Sequence, residues 1–153
     1  NHGVVFLSLE ATRLATVVAA RWLYRVPYVW ARMRVQQRGQ YWRYRSHRRW
    51  PAPQAGSDIA VRVGSPIAPT PLEVFLTARW GLHSTIAGRT VFTPNEHEPW
   101  SLHEAELVHL QDGLVRAAGI QTDGLVGSGD PDLRVLWSPG VRTRFAAPIV
   151  VPS

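Results

Sequence analysis

Residues 19–34 read AARWLYRVPYVWARMR, and the proline at position 27 divides them. Proline has no amide donor and pushes its predecessor out of the helical region, so a helix arriving from upstream must end by Val26. From Tyr28 the pattern changes to a period of two. Tyr28, Trp30, Arg32 and Arg34 share one face of a strand, and Val29, Ala31, Met33 and Val35 share the other. A helix therefore runs straight into a basic strand, and any ligand site is expected to be bordered by Tyr28 and its arginine neighbours.

Upstream of this join, residues 4–9 form a short apolar run, read as a buried strand. Ser8 is a candidate cap and Glu10 suits the positive end of a helix over about 10–26. Ala11, Ala15, Val18, Ala19, Trp22 and Val26 give that helix a narrow apolar face, and Glu10, Arg13, Arg21 and Arg25 give it a solvated one. Downstream, residues 28–35 and 41–50 flank a loop with Gly39 where a positive φ is expected, which predicts a hairpin. In its second arm Tyr41, Arg43, Arg45, His47 and Arg49 alternate with Trp42, Tyr44, Ser46, Arg48 and Trp50. Residues 51–56 read as a loop and 58–64 as a strand.

Thr70-Pro-Leu-Glu73 is a capping box with proline in the first turn, so a helix is predicted over about 71–80, with Gly81 as its left-handed terminator. Residues 82–86 and 89–93 make a second hairpin around Ala87-Gly88, and 94–99 a loop. A strand over 105–110 leads to a short helix capped by Asp112 and ended by Gly119, then to a loop over 120–131. Residues 133–137 and 141–147 pair in a last hairpin. This order predicts an α+β fold, mainly antiparallel, with a curled cone- or barrel-like sheet and two main helices.

At 153 residues the chain is one domain's worth, and its 45% hydrophobic content lies well above that of disordered chains. A strand entered at the very start without Met leads us to expect a single domain over 1–153 that lacks an N-terminal segment, and hence self-association or a companion segment supplying the missing strands. No transmembrane or signal segment is visible, so the cytoplasm is the default location and no membrane is expected. All 17 basic residues are arginine, and the net charge is +6. Ten arginines and no acid fall between positions 11 and 57, so one-third of the chain is strongly basic.

Several chemistries are excluded. Without cysteine or lysine there is no disulfide, thiol nucleophile, Schiff base or phosphate loop of the GK[ST] type. His97-Glu98 and His103-Glu104 lack the spacing of a zinc site, so no metal and no cofactor are expected. Gly127-Ser128-Gly129 lacks the strand-turn-helix context of a hydrolase elbow. Nucleic acid is the serious rival partner, because seven arginines interleave with Tyr and Trp between 28 and 50. Arginines sharing a face with aromatics also suit a polar pocket, and that reading is preferred here.

Gly3-Val-Val-Phe-Leu-Ser-Leu-Glu10, Arg25-Val-Pro-Tyr28, Ala31-Arg-Met33, Tyr44-Arg-Ser46, Leu72-Glu-Val-Phe-Leu-Thr77, His97-Glu-Pro-Trp100 and Leu136-Trp-Ser-Pro-Gly140 follow one another in a familiar order. The pattern resembles the uncharacterised YqjF-like family (domain of unknown function 2071) of the acetoacetate decarboxylase-like superfamily, over nearly the whole chain. The resemblance implies a curled antiparallel β structure around an internal pocket. It also implies that Tyr28 and Val29 stand where the decarboxylases carry two lysines, so their Schiff-base chemistry is lost. Members usually carry a further strand-bearing segment upstream.

The expected function is therefore binding of a small anionic or organic-acid ligand, with no catalytic residue assigned. Tyr28 would donate a hydrogen bond, Arg32 and Arg45 would hold a carboxylate, and Glu10 would balance Arg32 near the pocket rim. Trp30, Tyr44, His97 and Trp100 complete the expected site. The alternatives are a lysine-independent enzyme on β-keto acid-like substrates using Tyr28, and an arginine-rich nucleic-acid module.

Overall fold

The computed structural model describes residues 3–50, 54–121 and 133–151. It is an α+β fold whose larger sheet is a curled half-barrel, mixed but mainly antiparallel. That sheet is built from β1 (Leu9–Ala11), β2 (Tyr28–Arg38), β3 (Tyr41–Trp50), β4 (Gly56–Pro66), β7 (His103–Asp112) and β8 (Val135–Trp137), in the order β1-β2-β3-β4-β7-β8. A second sheet has the order β10-β6-β5, from β5 (Gly81–Ile86), β6 (Arg89–Glu96) and β10 (Ile149–Val150); β9 (Arg144–Phe145) also pairs with β6. The helices are α1 (Leu14–Ala19), α2 (Pro71–Thr77) and α3 (Leu114–Ala117).

The first hairpin forms as expected but tighter. Arg38 pairs with Tyr41, so only Gly39 and Gln40 turn, with Gly39 at φ 60°. The second hairpin turns on Ala87 (φ 50°) and Gly88 (φ 76°), the mirror-image turn that matches strand twist. The Thr70 capping box is complete: the Thr70 amide donates to Glu73 Oε2 (2.6 Å) and the Glu73 amide to Thr70 Oγ1 (3.4 Å). Asp112 caps α3 through the Leu114 and Val115 amides, and Gly119 follows at φ 85°.

Four expectations are corrected. The apolar run 4–9 is not one buried strand: Val4 bridges Leu82 in the small sheet, Val5 and Leu7 are exposed, and pairing with β2 begins only at Leu9. Glu10 thus lies in a strand rather than at a helix start. The helix over 10–26 is shorter, beginning at Leu14 and continuing after Ala19 as a π-helical turn over Ala20–Tyr24. Within α1 it is Val17 and not Val18 that is fully buried, and in the wider π turn, where a 3.6-residue stripe no longer holds, Trp22 is exposed. Helix α2 stops at Thr77, and Gly81 is no terminator: it opens β5, where the Phe92 ring leaves no room for a Cβ. The last hairpin is absent, because β8 pairs with β7 while β9 crosses to β6. The loop read over 120–131, with Gly127-Ser128-Gly129, falls mostly outside the described residues, as do positions 51–53 of the loop before β4.

Cross-strand register sorts the large sheet into two faces. Ala31 faces Arg48, Met33 faces Ser46 and Val35 faces Tyr44, and this side continues through Ile59 and Val61. Arg32 faces His47, Arg34 faces Arg45 and Arg45 faces Asp58 on the other side. Arg48, opposite Ala31 in this regular register, is buried; the register shifts only beyond it, between Trp30/Ala31, where Arg49 bulges out and Trp50 pairs with Trp30. No helix among the described residues is long and apolar enough to cross a membrane.

Candidate functional site

The chain reverses just before β2. Arg25 ends the π turn in the left-handed region (φ 52°, ψ 30°), and the Tyr28 amide then donates to the Val26 carbonyl at 2.8 Å, closing a tight bend around Pro27. For a residue with a Cβ the left-handed conformation costs about 1–2 kcal/mol. Such strain persists where the surroundings over-determine it, often beside a ligand site. Arg21 Nη1 donates to the Tyr28 carbonyl at 2.8 Å and anchors the far side of the bend.

Two cavities meet at this bend and share Phe6 and Val26. The apolar one, about 250 Å3, is lined by Phe6, Leu9, Ala20, Tyr24, Tyr28 and Leu82, among others. The polar one, about 490 Å3, is lined by Arg25, Pro27, His83, Ser84, Thr85 and Thr90, among others. The Ser84 hydroxyl is buried without a hydrogen-bond partner among the described residues. The cleft thus offers apolar walls with two phenols at one end, and a guanidinium, an imidazole and an unspent hydroxyl at the other. That combination accommodates an apolar body carrying an anionic or polar head.

Of the eight residues expected at the site, Tyr28 alone lines this cleft. Glu10 lies on the buried face and accepts from Arg48 Nε (2.9 Å) and Nη2 (2.7 Å), so its partner is Arg48 and not Arg32. Trp30 shares the Tyr28 face but spends its Nε1 donor on the Thr12 carbonyl (3.0 Å), with Arg49 over its ring. Arg32 is exposed further along that face. Arg45 donates to Asp58 (3.1 Å), as does Arg43 through two bonds of 2.7 Å. This fork holds the Asp58 carboxyl down at about 2, chiefly through the Arg43 hydrogen bonds. Tyr44 is on the opposite face, its hydroxyl accepting from Trp137 Nε1 (2.6 Å). His97 stacks on Trp80 (4.7 Å) and meets Trp100 edge-on (6.4 Å), away from the cleft.

Arg25, His83 and Ser84 were not singled out from sequence. Arg25 sat in the quoted stretch but read as a solvated helix residue, because its positive φ leaves no residue-type signature. The described residues contain no cluster of His, Cys, Asp or Glu able to hold a metal ion.

The chain is thus an α+β protein with a curled, mainly antiparallel half-barrel and two adjoining cavities at a helix-strand bend. The pattern of the domain of unknown function 2071 family, described as an uncharacterised conserved protein, matches residues 1–142. The chain belongs to that family. It is 28% identical over 120 residues to the uncharacterised protein YqjF of Bacillus subtilis (strain 168), a match covering 77% of this chain and 50% of that relative. The chain thus spans about half the length of the curated relative it matches. No solved structure matches it.

Proposed function

We propose that this chain is a small-molecule-binding module whose ligand is a small organic acid with an apolar body, held in the cleft at the Arg25–Tyr28 bend. The observation carrying this reading is the meeting of the two cavities at Phe6 and Val26, with strained Arg25 at the polar mouth. The carboxylate pairs with the Arg25 guanidinium and the Ser84 hydroxyl, and the apolar body lies against Phe6, Leu82 and the Tyr24 and Tyr28 rings. The resemblance to acetoacetate decarboxylase-like proteins supports a pocket of this kind, and the absence of lysine rules out their covalent chemistry here.

Titration calorimetry with a series of short-chain to medium-chain carboxylates tests the assignment. Affinity should rise with chain length until the apolar cavity is filled, by about 0.8 kcal/mol per buried methylene. Arg25→Ala should weaken binding about tenfold or more, the effect of losing a charge-assisted hydrogen bond. Affinity that ignores both chain length and Arg25 would refute the cleft as the site.

A further inference from the structure

Beyond the cleft, we propose that the arginine face of the hairpin β2–β3 and strand β4 is a binding surface for single-stranded nucleic acid. Register places Arg32, Arg34, Arg38, Arg43, Arg45 and Arg62 on this one side. Arg34 stands directly opposite Arg45, and Arg32 opposite His47. Like charges paired across strands are destabilising, so the fold carries a repulsion that a polyanion would relieve.

Asp58 occupies Arg43 and Arg45, and Glu106 occupies Arg62. Glu104 lies with Glu106 on β7, at the far margin of the face. Arg32, Arg34 and Arg38 make no ion pair or side-chain hydrogen bond among the described residues, so three guanidiniums remain unspent along one strand. Residues two apart on a strand are separated by about 6.6 Å, so these cations form a row rather than a point, which suits a chain of phosphates.

Half-exposed Tyr41 sits at the turn end of that row and borders a groove of about 270 Å3 with Gln36, Arg38, Arg43 and Arg45. An aromatic ring beside a cationic groove is the arrangement that stacks an unpaired base. A membrane surface fits less well, because this side of the hairpin presents no large aliphatic side chain to insert into lipid. The helix covers Tyr28 and Trp30 at the other end of the same face, so the surface begins where that cover ends.

The test is fluorescence anisotropy of the full chain with a labelled oligothymidylate across a salt series. The double variant Arg32→Ala/Arg34→Ala should bind about tenfold more weakly, with the slope of log affinity against log salt reduced by about 1.4, two single-strand phosphate contacts. Tyr41→Ala should cost about fivefold or more through lost stacking. Arg89→Ala, on the small sheet, and Arg25→Ala, in the cleft, should leave binding unchanged, which separates this surface from the organic-acid site. No binding by the wild-type chain at low salt would overturn the proposal. So would an equal loss in Arg89→Ala, or tighter binding to phosphatidylserine vesicles that Tyr41→Ala does not affect.

Discussion

Arg48 and Glu10, 38 residues apart, form a buried ion pair that ties β3 to β1 across β2. Arg48 is only 4% exposed, and its Nη2 also donates to Ser8, whose own hydroxyl reaches Glu10 at 3.4 Å. Removing one member of such a pair leaves the other charge buried and alone. Glu10→Ala should therefore destabilise the fold by about 3 kcal/mol or more, whereas Glu10→Leu combined with Arg48→Met should recover most of that loss. Urea melts of Glu10→Leu, Arg48→Met and the double variant check this, and strict additivity would refute the coupling.

Arg25 sets stability against binding. Glycine adopts positive φ freely, so Arg25→Gly should relieve backbone strain and raise stability by about 1 kcal/mol. The same change removes the guanidinium from the polar cavity, so carboxylate affinity should fall. Thermal melts with and without ligand would show the free protein melting higher and the ligand-induced shift shrinking. A lower melting temperature for the free variant would mean that the bend needs the arginine side chain.

Arg34 and Arg45 oppose each other with like charge. Arg34→Glu turns repulsion into a cross-strand pair and should stabilise the hairpin by about 0.2–1 kcal/mol. It should also weaken oligonucleotide binding by about tenfold, because it removes as much positive charge as the double neutralisation. A salt titration of the melting temperature checks the origin: salt should stabilise the wild type more than the variant, because ions screen the repulsion.

Acid should destabilise the protein through two carboxylates, Asp58 on the interior strand β4 and Glu73 in helix α2. Asp58 is held at about 2 by the Arg43 and Arg45 fork, and Glu73 is held below the usual carboxylate range by the Thr70 amide and then by Arg134 (2.6 Å). Both folded-state values lie below the unfolded ones, about 3.9 for Asp and 4.3 for Glu, so their stabilisation is present above that range. It is lost as pH falls through the folded values. Stability should drop between about pH 4 and about pH 2. Asp58→Asn and Glu73→Gln should each flatten that drop while lowering stability near neutrality; an unchanged acid limb in both would count against the assignment.

Much of the fold was legible because its signals are local. The Thr70 capping box, the Ala87-Gly88 turn and the period-two alternation of β2 depend on neighbours within a few residues, and all three appear as read. The end of α1 and the pairing of β8 and β9 were not legible. A π turn costs one residue of phase that no residue type announces, and strand partners are chosen by surfaces brought together from afar.

The candidate site divides along the same line. From the sequence alone it followed that Tyr28 borders a bend, that lysine chemistry is impossible, and that the basic charge is concentrated between positions 11 and 57. Alternation also placed Tyr28 and Arg32 on one face. Only the tertiary structure decided that α1 covers one end of that face and leaves the other to solvent, so that Tyr28 lines an apolar cavity next to the polar one lined by Arg25, His83 and Ser84, while Arg32 stands in an open row of cations. It likewise decided that Arg48, which alternation sets on the face of Trp42, Tyr44 and Ser46, is buried there against Glu10. The reason is physical: period and capping act within a few residues along the chain, whereas a cleft or an ion pair between residues 38 apart exists only once packing brings them within a few ångströms.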